Sequence, residues 1–104
     1  MYFQGKNWDF SILNAACADR YAAACQALRA SAQPKNGETG GDAVRRLSAA
    51  AAAFYDAVLG PGAGDALRAG EPDLRRCLPE VSALMQAVQR DAAAARTLLP
   101  EAEA

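Results

Sequence analysis

The chain has 104 residues, with 11 lysines and arginines set against 12 aspartates and glutamates, and it contains no histidine. Acids and bases are interspersed, so there is no basic stripe to release counterions from a nucleic acid, which argues against nucleic acid as the main partner. The lack of histidine removes the commonest general base, the commonest zinc ligand and every Ser-His or Cys-His nucleophile pair.

Residues 2–5, "YFQG", read as the scar left when a purification tag is cleaved off, so residues 1–5 are set outside the fold. A single helical domain is placed at residues 6–99, with 100–104 as a flexible tail. In "NWDFSILN", Trp8, Phe10 and Ile12 alternate with polar residues, which predicts an extended arm, and Asn14 suits a helix N-cap. From Ala15 to about Ser31, the residues Cys17, Tyr21, Ala24, Cys25 and Leu28 recur on one helical face. "AQPKNGETGG", Ala32 to Gly41, has turn chemistry and no apolar period, which predicts a mobile surface loop, after which Asp42 caps a second helix.

Val44, Leu47, Ala51, Phe54 and Val58 form the seam of that second helix. Gly60 stands where a left-handed C-cap glycine belongs, and Pro61 cannot continue the helix. "DALRAG", Asp65 to Gly70, is long enough for one short helical turn. Beyond Asp73, Leu74, Cys77, Leu78, Val81, Leu84, Met85, Val88, Ala92 and Ala95 keep a helical stripe, with Pro79 predicting a kink or a start near Arg76 to Leu78. The fold class is therefore all-α: a small bundle of three main helices, with an extended N-terminal arm and a short helix in the glycine-rich connection. Phe54, with Leu28, Leu47, Val58, Val81 and Leu84, is the predicted centre of the core.

"GPGAG", Gly60 to Gly64, lacks the lysine and the hydroxyl of a phosphate loop and follows a helix rather than a strand, so it reads as a helix stop. Asp56 and Asp65, which flank it, are the best carboxylate pair for acid–base work, but they suit a solvated helix end and an N-cap better. Cys17, Cys25 and Cys77 lie on apolar faces and form no CxxC, as expected of free thiols in a reducing compartment. Tyr21, Phe54 and Tyr55 fit core positions better than a ligand groove. The longest apolar run, Leu47 to Tyr55, is too short to span a membrane, and no signal peptide follows the scar, so a bacterial cytoplasmic location is expected. No enzyme activity, metal or cofactor is predicted.

"WDFSILNAACADRYAAACQAL", Trp8 to Leu28, and "FYDAVLGPGAGDALRAGEPDLRRCL", Phe54 to Leu78, resemble small helical proteins of phages and prophages. That family's pattern is "FDFSLLDADxxERYExAL" followed by "FFDxxFGEGTxxxLFGxxxNLxxCL". Phe10, Ser11, Leu13, Asp19, Arg20, Tyr21, Ala27 and Leu28 match the first block, and Tyr55, Asp56, Gly60, Gly62, Leu67, Gly70, Leu74, Cys77 and Leu78 match the second. Pro61, Pro79 and Ala63 depart from it. The resemblance implies a place in tail morphogenesis, where small helical proteins act as assembly chaperones that shield apolar helices of the tape-measure protein. The expected function is thus a non-enzymatic helical binding protein, a tail assembly chaperone or adaptor, with an inhibitor of a host bacterial enzyme as the alternative.

Binding is expected by helix-in-groove contact with a protein partner or a second copy. The last helix outruns the other two, which leaves an apolar edge of Ala92, Ala95, Leu98 and Leu99 as one candidate surface. The face of the second helix around Tyr55 and Leu59 is the other.

Overall fold

The computed structural model describes residues 1–97. In chain order it comprises β1 (Tyr2–Phe3), β2 (Lys6–Asn7), α1 (Ala15–Ser31), α2 (Gly40–Leu59), α3 (Asp65–Arg68) and α4 (Leu74–Arg96). Three long helices and one short one dominate, as the apolar stripes predict.

The caps explain where the helices begin. Asn14 Oδ1 accepts from the Cys17 amide at 3.1 Å and starts α1, satisfying one of the donors that a helix N-terminus leaves without an internal partner. Helix α2 starts earlier than Asp42. Thr39, in an extended conformation, accepts from the Asp42 amide at 3.0 Å and carries Gly40 and Gly41 into the first helical turn. Asp42 instead pairs with Arg45 at 2.7 Å on the exposed first turn. Nor is the preceding loop loose throughout, since Glu38 accepts from Arg46 Nε and Nη2 at 2.7 and 2.9 Å. That fork ties the loop's end to α2 with both side chains largely covered. Asp73 caps α4 by accepting from the Arg75 amide at 2.9 Å, and the helix begins at Leu74, ahead of the expected start near Arg76 to Leu78, and takes Pro79 into its interior. Pro79 is exposed, and so is Arg75, whose carbonyl loses its ladder partner there, so water can serve that group.

The N-terminal residues also differ from expectation. Tyr2 pairs with Asn7 and Phe3 with Lys6 in an antiparallel hairpin. Gln4 and Gly5 form its loop at φ 53° and 74°, the positive-φ pair that matches the strand twist. This hairpin folds Phe3 back onto the domain, where it is buried and meets Tyr55 edge-on at 6.2 Å between ring centroids. Trp8 Nε1 donates to the Phe3 carbonyl at 3.0 Å. Phe3, set outside the fold by the scar reading, therefore belongs to the core.

Phe54, Val58, Val81 and Leu84 are buried as predicted, joined by Phe10, Tyr55, Leu59, Leu67, Cys77, Ala87 and Val88. Leu28 and Leu47 are only half-buried. Helix α2 is the central element, against which α1, α3 and α4 all pack. Arg20, near the start of α1, donates to the Val58 carbonyl near the end of α2 at 3.2 Å. Tyr55, also near the end of α2, donates to the Glu80 carbonyl in the early part of α4 at 2.7 Å. Both neighbours consequently run antiparallel to α2 and parallel to each other.

Candidate functional site

The glycine-rich turn has the composition of an anion cradle, and its backbone donors decide the matter. Gly60, at φ 120°, donates to the Asp56 carbonyl at 2.9 Å, Ala63 donates to Gly60 O at 3.1 Å, and Asp65 donates to Gly62 O at 3.1 Å. The Gly64 amide donates to Asp56 Oδ1 at 2.7 Å. With these amides turned inward and a carboxylate seated among them, the turn repels anions rather than binding them. Gly64 is required for a different reason: a Cβ there would lie 2.3 Å from the Ala52 carbonyl oxygen, so only a glycine lets the turn lie against α2.

Asp56 and Asp65 do come together, but through Arg68, which pairs with Asp56 and holds Asp65 at 3.1 Å. Arg68, and next the Gly64 amide, hold the Asp56 carboxyl below the usual carboxylate range. Neither acid has the predicted part. Asp56 is the staple of the turn, and Asp65 is the first residue of α3, whose N-cap is Gly64. Among the described residues, no group of three or more His, Cys, Asp and Glu could hold a metal ion.

A more apolar concave feature lies elsewhere. Because α1 and α4 both lean on α2, they leave an apolar groove of about 620 Å³ between them. Leu47 and Ala51 of α2 form its floor, Tyr21, Cys25, Leu28, Arg29 and Ala32 one wall, and Leu78, Val81, Met85 and Gln89 the other. Leu78 is 55 % exposed, one of three large apolar side chains left that open among the described residues. Tyr21 sits at one end, with Phe54 edge-on at 6.1 Å and Phe10 at 6.4 Å. Burial, then the neighbouring Cys25, pushes its phenol up to about 12.

The residues proposed from sequence fall differently. Tyr55 and Leu59 are 3 % and 7 % exposed, so the helix-two face they mark is core, covered in part by the N-terminal hairpin that had been set aside. Ala92 and Ala95 are half-buried near the end of α4, and Leu98 and Leu99 lie outside the described residues. Of the groove residues, the sequence places Leu28 and Leu47 in the core and Cys25, Leu78 and Met85 on the apolar stripes of the first and last helices. Their signal was the width of the α4 stripe: Cys77, Leu84 and Val88 are buried, while Leu78 and Met85 form a second row that α2 does not cover.

Residues carrying the phage-family resemblance mostly have structural tasks. Arg20 ties α1 to the end of α2, Asp56 staples the turn, and Gly60, Gly62 and Gly70 take positive φ. The profile of a family of unknown function, DUF6673, matches residues 4–100, and the chain belongs to that family. No curated protein and no solved structure matches the chain.

Proposed function

We propose that this protein is a non-enzymatic binding module that receives the apolar side of a partner protein's helix in the groove between α1 and α4. The observation that carries this is the groove itself: two helical walls and an alanine-containing floor, mainly apolar, with the Tyr21 phenol at one end and Arg29 and Gln89 near the other. Such a trough accommodates a helix by burying its seam, as helix-in-groove receptors do, and each large apolar side chain buried contributes about 1.5–3 kcal/mol. The likeness of the Trp8–Leu28 and Phe54–Leu78 blocks to small phage proteins supports a more specific reading. In it, the module is a tail assembly chaperone in the bacterial cytoplasm that shields an apolar helix of the tape-measure protein until assembly.

Leu78→Glu together with Met85→Glu tests the groove. Leu78 is exposed and Met85 half-buried, so the double variant should keep its helical circular dichroism and unfold close to the parent temperature. Its affinity for apolar helical segments of a tape-measure protein, followed by titration calorimetry, should fall at least tenfold. Parent-like binding by a folded double variant would remove the groove from consideration.

A further inference from the structure

We infer that the groove is the vacant fourth position of an up-and-down helical bundle, and that its occupant is a single amphipathic partner helix running antiparallel to α1 and α4 with a carboxylate near its N-terminus facing Arg29. This rests on the groove-binding reading above and adds a direction and a charge to it.

The direction follows from the packing. Arg20 near the start of α1 meets the end of α2, and Tyr55 near the end of α2 meets the early part of α4. Thus α1 and α4 are the two parallel members of a bundle in which α2 is their shared antiparallel neighbour. The position opposite α2 is the one that would complete four helices. The walls have equal length, from Tyr21 on α1 to its C-cap Ala32 and from Leu78 to Gln89 on α4, which is about 17 Å or three helical turns at 1.5 Å per residue. A helix laid there antiparallel to both walls repeats the relation α2 already has to them, the arrangement that fills an up-and-down bundle. It also sets its positive N-terminal end beside the negative C-terminal end of α1, which closes at Ser31.

The charge follows from the lining. Among the described residues, Arg29, in the last turn of α1, is the one charged side chain lining the groove, and it has no ion-pair partner. It stands at the end where the occupant's first turn would lie, a place where a carboxylate also suits the occupant's own dipole. The chain's own helices cannot supply the occupant, because α1, α3 and α4 already pack on α2. The described end of α4 offers Ala92 and Ala95, whose methyl groups are too small to fill a trough of about 620 Å³. A partner helix with leucine-sized side chains along one seam fits.

The test uses the full chain and synthetic 18-residue helical peptides with a leucine seam and otherwise neutral polar residues. One carries Glu in its first turn, one carries Lys there, and one carries Glu in its last turn instead. The first should bind roughly three- to tenfold more tightly than the other two at low salt. Arg29→Glu should reverse the order of the Glu and Lys peptides. A nitroxide on the N-terminus of the first peptide should broaden the amide signals of Arg29 and Gln89, and one on its C-terminus those of Tyr21 and Leu78. If no peptide binds, the groove reading fails and this inference with it. If peptides bind but with the opposite broadening pattern, or without regard to charge or Arg29, the groove reading stands and the assigned direction and charge are wrong. A dimer by light scattering that dissociates as peptide binds would make a second copy the occupant and overturn the assignment.

Discussion

Gly64 and Gly60 share one turn but do different work there. Gly60 has positive φ with open space where a side chain would sit, whereas Gly64 has ordinary backbone angles and a side-chain position already filled by the Ala52 backbone. Helix-stop chemistry is local, so Gly60 was legible from its place after Leu59. The need for Gly64 depends on a carbonyl twelve residues earlier that only the fold brings close. Gly64→Ala should therefore push α3 off α2 and destabilise by about 1–3 kcal/mol in urea unfolding, as overpacking typically does. An unchanged midpoint would show that the turn yields freely. The tyrosines define a second residue-scale prediction. Tyr21 is raised to about 12 by burial and then by Cys25, and Tyr55 is raised by burial and then by Glu80. A raised folded value means that the unfolded chain loses these protons first. Their contribution is whole below the ordinary tyrosine value of about 10 and is lost as pH rises through 12. Denaturation midpoints should drop between pH 10 and 12, and Tyr21→Phe should flatten the drop. A parallel decline in parent and variant would assign the alkaline loss to other groups.

At the scale of elements, local chemistry set the helix starts and a distant contact set the hairpin. Asn14 was identifiable as a cap, and the α4 stripe survived Pro79 because Asp73 nucleates the helix before the proline is reached. Thr39 carries no such signal, because the glycines after it have loop chemistry, although glycines are tolerated in a first turn whose amides have no ladder partners. Four of the hairpin's residues resemble a cleavage scar, while the hairpin's value lies in what Phe3 touches: the Tyr55 ring and, through its carbonyl, Trp8. Phe3→Ala should cost about 3 kcal/mol, the usual scale for emptying a phenylalanine site. Removal of residues 1–5 should cost at least as much, seen as a lower midpoint in thermal or urea unfolding. If the shortened chain unfolds like the parent, the hairpin is an appendage and the scar reading holds.

For the whole molecule, the decisive feature is that one helix serves as the neighbour of all the others. Each stripe could be read from the sequence, and together they announced a helical bundle. What they could not announce was that α1 and α4 would both choose α2, because a stripe says how much surface must be covered and not by which element. The groove is the remainder of that choice, lined by the parts of two wide stripes that one central helix cannot reach. The same asymmetry predicts a gradient of local stability. Residues Ala51, Ala52, Phe54, Tyr55 and Val58 of α2 are all buried, so their amides should exchange with solvent only through global unfolding. On α4 the buried positions end at Val88, so amides from Ala92 to Arg96 should exchange through local fraying, with protection at least a hundredfold lower than in α2. Helix α1, with Ala24 its one buried residue, should fall between them and gain protection along Tyr21 to Arg29 when the groove is filled. Native-state hydrogen exchange followed by NMR reads all three levels at once. Protection in α1 equal to that in α2 without any partner would mean that the three helices already form a complete unit, and that the open face has nothing to gain from a fourth.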